Sequence, residues 1–222
     1  MKIKGAIFDM DGTLVNSLTF WEYAWPILGK KYLGKPDFYP SPEDDKAIRT
    51  MTMLLCWEHM KKQYGFPKSA EELADETNEL CEAYYRDVVD VKEGTVEFLE
   101  FLKSKGIRMC VASATKKYLV EQVVAQHGLG KYIEKVISCA DIGKGKDCPD
   151  VFIAAAEHLG CEIGETCVFE DSALAVSTAK KAGFHTVGIY DRYNYDHDIL
   201  EANSEIYIGD GENITKAIAS IE

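Results

Sequence analysis

After Val91 the chain settles into an alternation of short apolar runs and amphipathic stretches, and this rhythm limits its fold more than any other feature. "TVEFLEFLKSKG" reads as an amphipathic helix ending at Gly106, and "IRMCVAS" as a buried strand. "TKKYLVEQVVAQHG" is then helical, "KVISCAD" a strand and "PDVFIAAAEHLG" a helix. "TCVFED", "HTVGIY" and "EIYIGD" complete the strands, with the helix "SALAVSTAKKAG" after the first of them. Strands alternating with helices imply parallel pairing, because each return to the same sheet edge needs a crossover. The expected fold class is α/β, with a Rossmann-like parallel sheet core and helices on both faces.

One strand stands apart from that series. "KIKGAIFD" lies at the start of the chain and must join the same sheet, yet a helical block from Leu18 to Val89 follows it. That block reads as three stretches: "SLTFWEYAWPILGKKYL", "SPEDDKAIRTMTMLLCWEHMKKQYGF" and "SAEELADETNELCEAYYRDVV". Each opens on a serine able to cap a helix N-terminus. The Pro/Gly-rich loop "LGKPDFYPSP" separates the first two. The block is an all-helical insertion after the first strand. The expected division is residues 1–16 with 91–222 for the α/β core, and 17–90 for the inserted domain. Hinges are expected near Val15–Leu18 and Val89–Gly94.

The charge balance narrows the function. With 25 basic against 37 acidic residues the net charge is −12, the opposite of the basic footprint of nucleic-acid binders. The lysine pairs are scattered over expected helices. No apolar run approaches the ~20 residues that span a bilayer, and "MKIKGAIFDMDG" reaches Asp9 too soon for a signal peptide. No nucleic-acid or membrane partner is expected. The seven cysteines are odd in number, lack a CxxC pair and fall mostly in apolar segments. They read as free thiols of a reducing, cytoplasmic protein rather than a zinc site. Nothing in the sequence specifies an oligomeric state.

In open α/β sheets, ligands bind beyond the carboxyl ends of the strands. The first strand ends at Asp9, the second at Ser113, the third near Asp141, and the fourth at Glu170–Asp171. Lys146 lies just before the helix near Pro149. Converging carboxylates suit Mg²⁺, which takes oxygen ligands and keeps several waters. A hydroxyl and backbone N–H groups at Ser113–Ala114–Thr115 form a candidate anion site, and Lys146 adds a point charge suited to phosphate. Taken singly, each of these residues reads as a cap, a turn former or a surface lysine. Together at one sheet edge they describe phosphoryl transfer, where positioning and charge neutralisation carry the catalysis.

The same residues resemble the motifs of the haloacid dehalogenase superfamily, in its branch with a helical cap after the first strand. This branch includes β-phosphoglucomutase-like and phosphoglycolate phosphatase-like proteins. "DMDGTLVNS" matches the family's DxDGTL motif and "VASAT" its second motif. "KDCPDVF" is similar to KPxPDxF, with Asp147 where proline is usual. "VFEDSALAVSTAKKAG" resembles the fourth, with Ala175 where glycine is commoner. The resemblance covers essentially the whole chain. It implies that Asp9 is the nucleophile, forming an aspartyl-phosphate, and that Asp11 is the general acid/base. Asp9, the Asp11 backbone carbonyl, Glu170 and Asp171 would hold Mg²⁺. Ser113, Ala114 and Lys146 would bind the substrate phosphate, with Lys146 also pairing with Asp9. Gly12 would permit the tight turn, and Thr13 would orient Asp11.

The expected activity is Mg²⁺-dependent hydrolysis of a small phosphate monoester, a sugar phosphate or similar metabolite. Asp11 argues against dehalogenation and against phosphonate hydrolysis. A sugar-phosphate mutase of the β-phosphoglucomutase type is the first alternative, although Trp21 stands where mutases usually carry histidine. A non-catalytic phosphometabolite-binding protein is the second. The family's cap supplies substrate contacts. Here its aromatics (Trp21, Trp25, Tyr32, Phe38, Tyr39, Trp57, Tyr84, Tyr85) read mainly as cap core, with Lys46 and Arg49 as candidate ligand contacts.

Overall fold

A computed structural model describes residues 1–48 and 51–222. The first strand, β1 (Gly5–Phe8), is small and apolar, and all four residues are buried. The chain divides into two compact units, Met1–Leu18 with Val89–Glu222, and Thr19–Val88. These boundaries fall two residues inside the expected 17–90 at each end. The reason is local pairing: Val15 bridges Val91, the Asn16 N–H donates to the Asp90 carbonyl, and the Ser17 hydroxyl donates to Asp11. Those bonds keep both linker passages with the sheet.

The Thr19–Val88 unit contains α1 (Phe20–Leu33), α2 (Pro42–Ile48), α3 (Met53–Tyr64) and α4 (Ala70–Asp87). The single helix expected over "SPEDDKAIRTMTMLLCWEHMKKQYGF" is two, α2 and α3. Thr52 is extended and its hydroxyl accepts from the Leu55 N–H, so a fresh N-cap starts α3 inside the run. Arg49 lies outside the described residues. Ser69 and Glu72 form a reciprocal capping box at the start of α4. The unit's core is aromatic: Trp25 meets Trp57 and Phe38 edge-on, and Trp57 meets Phe66. The Trp57 indole N–H donates to Thr77 at 2.9 Å, which satisfies a polar atom that burial would otherwise strand. Of the eight aromatics singled out above, Trp25, Phe38, Trp57, Tyr84 and Tyr85 are buried, while Tyr39 is exposed.

The remaining elements follow in order: α5 (Thr95–Ser104), β2 (Arg108–Ser113), α6 (Lys117–Gln126), β3 (Val136–Ser138), α7 (Cys139–Ile142), α8 (Asp150–Leu159), β4 (Thr166–Glu170), α9 (Ala173–Ala182), β5 (His185–Ile189), α10 (His197–Asn203) and β6 (Ile206–Ile208). The six strands form one parallel sheet in the order β3-β2-β1-β4-β5-β6. Successive side chains of β1 serve opposite faces. Ile7 packs with Cys110, Val168 and the α8 and α9 residues Phe152, Ala155, Ala175 and Ala179. Phe8 stacks on Phe169 and meets Phe98 of α5 edge-on. Ala175 belongs to that packed face, so the small residue there is a matter of fit. One strand boundary differs from expectation: β3 stops at Ser138, and Asp141 lies on the short α7. The Ser138 hydroxyl accepts from the Ala140 N–H, which turns the chain out of the sheet three residues early.

Candidate active site

β1 is the central strand, with β2 on one side and β4 on the other, so the strand order reverses there. This is the switch point where an open α/β sheet leaves a crevice. The register sets Phe8 opposite Val111 and Phe169, and the Asp9 N–H continues the ladder to the Phe169 carbonyl at 2.9 Å. Asp9 is therefore fixed one step beyond β1, beside the end of β4. Gly12 then turns the chain with a φ of +81°, and a Cβ there would overlap the Asp171 carboxylate. Only glycine fits both the backbone and that approach.

Asp9, Glu170 and Asp171 are all buried, and one carboxylate oxygen from each lies within 4.8 Å of the others. The Lys146 ammonium lies between two of them, donating to Asp9 and, at 2.6 Å, to Glu170. The other Glu170 oxygen accepts the N–H groups of Asp171 and Ser172 at 2.9 and 3.1 Å. Asp171 receives the Asn194 side-chain amide on both its carboxylate and its carbonyl, and Thr13 at 3.4 Å. Three buried carboxylates thus lie around one ammonium, which pairs with Asp9 and Glu170 while Asp171 is held by Asn194 and Thr13.

That imbalance sets the protonation of the site. Burial pushes Asp9 up to about 8, Glu170 and Asp11 add to the rise, and Lys146 opposes it. Burial likewise raises Asp171 well above the usual carboxylate range, reinforced by Glu170 and Asp9. Burial disfavours the charge on Lys146, but its attraction to Asp9 and Glu170 prevails and its pKa is raised. An all-oxygen donor set with excess negative charge, out of water, suits a hard divalent cation. The described residues therefore fit a metal ion.

Asp11 has a different setting. Its carboxylate accepts from Ser17 at 2.6 Å and Thr115 at 2.7 Å, with Ser113 farther off at 3.4 Å. Two carboxylates in adjacent but unlike surroundings can carry different roles. The Thr13 hydroxyl, expected from the sequence to orient Asp11, donates instead to Asp171 at 3.4 Å. The Ser113–Thr115 segment also differs from a simple helix opening. The Thr115 N–H is taken by the Ser113 hydroxyl at 3.0 Å, Ala114 is exposed, and α6 begins only at Lys117. Asp141 pairs with Lys117 at 3.4 Å with its side chain about half exposed, away from the buried triad.

Sequence reasoning missed Ser17, Asn194, Lys92 and Asp191, and gave Thr115 no side-chain role. Ser17 lies within the quoted "DMDGTLVNS", so its six-residue spacing from Asp11 was available as a signal. Lys92 donates to the Gly12 carbonyl and pairs with Asp191 at 2.8 Å. Those contacts bridge 80 and 99 residues, and no local pattern announces them.

Comparison with known proteins agrees with this geometry. A family model described as "Hydrolase: haloacid dehalogenase-like hydrolase" matches residues 3–183. The validoxylamine A 7'-phosphate phosphatase of Streptomyces hygroscopicus subsp. limoneus is 27% identical, over 84% of this chain and 85% of that protein. The phosphorylated carbohydrates phosphatase of Thermotoga maritima is 26% identical over 91% and 92% of the two chains. A crystal structure of a Thermotoga maritima protein assigned provisionally to β-phosphoglucomutase superposes with a TM-score of 0.80. It is 25% identical, covering 93% of this chain and 94% of that one.

Proposed function

The chain belongs to the haloacid dehalogenase-like hydrolase family, and on that premise we propose that it is a phosphatase acting on a small phosphate monoester through an aspartyl-phosphate. The observation that carries the reading is the buried Asp9–Glu170–Asp171 triad with Lys146 set against it, beside a separately held Asp11. The two phosphatase relatives support the same reaction class.

In this reading an Asp9 oxygen attacks phosphorus and the P–O bond to the substrate alcohol breaks. Asp11 delivers its proton to the departing alkoxide. A water then attacks the phosphoryl group, Asp11 takes the water's proton, and the P–O bond to Asp9 breaks to release phosphate. Ser17 and Thr115 hold the Asp11 carboxylate in place for both transfers. Lys146 neutralises phosphoryl oxygens, with Ser113 and the Ala114 N–H as further donors to them. Mg²⁺ would be held by Asp9, Glu170, Asp171 and the Asp11 backbone carbonyl, and it supplies charge neutralisation at the transferring phosphoryl group. The Thr19–Val88 unit takes the role of the cap that selects among esters.

The test is a Mg²⁺-dependent screen of phosphate monoesters that includes hexose 1- and 6-phosphates, run on wild type and Asp9→Asn. Phosphate release by the wild type, reduced to background in Asp9→Asn, supports the proposal. Conversion of a hexose 1-phosphate into its 6-isomer without phosphate release would replace it with the mutase reading. Binding without turnover of any ester would favour a binding protein.

A further inference from the structure

The segment between β5 and α10 reaches two residues distant from it in sequence, Lys92 and Asp171. It is a tight turn: the Asn194 N–H donates to the Asp191 carbonyl at 3.0 Å, and the Tyr193 N–H to one Asp191 carboxylate oxygen at 3.0 Å. The other Asp191 oxygen takes the Lys92 ammonium at 2.8 Å. Asp191 is only 8% exposed, so both its oxygens are committed to holding the turn. From that turn the Asn194 amide reaches the carbonyl and a carboxylate oxygen of Asp171. Both of these are acceptors, so the amide nitrogen, and not its oxygen, must face them.

We propose that Asn194 is a positioning residue for Asp171, and that Lys92 acting through Asp191 anchors the turn that presents it. This rests on the reading of Asp171 as a metal ligand. Donors behind a ligating carboxylate fix its rotamer and favour its ionised form. Asp171 needs such support because the ammonium of Lys146 is engaged with Asp9 and Glu170. Thr13 reaches the opposite Asp171 oxygen only at 3.4 Å, so the amide is the closer donor. Lys92 has a second duty, since its ammonium also holds the Gly12 carbonyl. One lysine thus fixes the turn after Asp11 and the loop behind Asp171 together.

The experiment is calorimetric titration of the full chain with Mg²⁺ in the absence of substrate, at neutral pH, with melting in EDTA to confirm folding. Asn194→Leu keeps the side chain's bulk and removes its donors, and should weaken Mg²⁺ by roughly 10- to 100-fold. Lys92→Met should also weaken Mg²⁺, and the double variant should lose less than the sum of the two single losses, because the two residues share one route to Asp171 while Lys92 also holds the Gly12 carbonyl. Steady-state turnover of Asn194→Leu should recover at saturating Mg²⁺. Asn194→Ala replaces the leucine variant if the latter melts early. Wild-type Mg²⁺ affinity in the Asn194 variant, alongside its loss in Asp171→Asn, overturns the proposal, as does simple additivity of the Lys92 and Asn194 effects. Retention of Mg²⁺ by Asp171→Asn overturns instead the reading of Asp171 as a ligand.

Discussion

Asp9 and Asp11 are two residues apart in sequence and have different partners. Asp9 is buried against Lys146 and two further acids, whereas Asp11 rests on the hydroxyls of Ser17 and Thr115. Asp9→Asn removes a buried group whose charge the fold disfavours, so its melting temperature in EDTA should equal or exceed that of wild type while turnover disappears. Lys146→Met should have the opposite effect on stability. It strands Asp9 and Glu170 without their cation, and such a loss typically costs about 3–5 kcal/mol. Urea unfolding in EDTA above pH 8 should show it. The cost should shrink as pH falls below about 8, where Asp9 takes up a proton.

At the scale of elements, the breaks between helices matter as much as the helices. The apolar and acidic pattern from Ser41 to Phe66 reads continuously, yet the Thr52 side chain caps a new helix in its midst. Threonine is an ordinary residue inside such a run, so only its backbone conformation reveals the cap. Ser69 was legible by contrast, because Glu72 three residues on completes a reciprocal signature. Ser69→Ala should destabilise the fold by about 1 kcal/mol, typical of a lost N-cap. Chemical denaturation would measure it, and phosphatase turnover should be unchanged. The short β3 has a similar origin to the Ser41–Phe66 break: a serine side chain bonding locally ends a strand whose apolar pattern continues.

At the scale of the molecule, the site makes stability depend on pH. A carboxyl whose folded pKa is raised binds its proton more tightly in the native state than in the unfolded chain. Its contribution is therefore present below the ordinary value of 3.8 and is lost as pH rises to about 8 for Asp9, with Asp171 acting in the same sense. Metal-free protein should melt at progressively lower temperature as pH rises from about 4 to about 8 on account of these groups. Mg²⁺ binding requires the ionised carboxylates and releases their protons. The Mg²⁺-induced rise in melting temperature should therefore be larger at pH 8 than at pH 6, as differential scanning calorimetry would show. An equal rise at both would mean that the acids are not the ligands.

The sequence alone determined the sheet class, the insertion after β1 and the arrival of Asp9, Ser113 and Glu170–Asp171 at one edge. Strand and helix periods are local, and parallel strands carry their last residues to the same side. The tertiary structure decided which group each of those residues answers to. The Thr13 hydroxyl donates to Asp171, the Thr115 hydroxyl donates to Asp11, and Asp141 pairs with Lys117 outside the buried triad. Lys92 and Asn194 enter the picture only through contacts with distant segments. Such pairings depend on the angle and depth at which elements pack. No spacing along the chain encodes them, because the partners become neighbours only when the sheet and its loops are assembled.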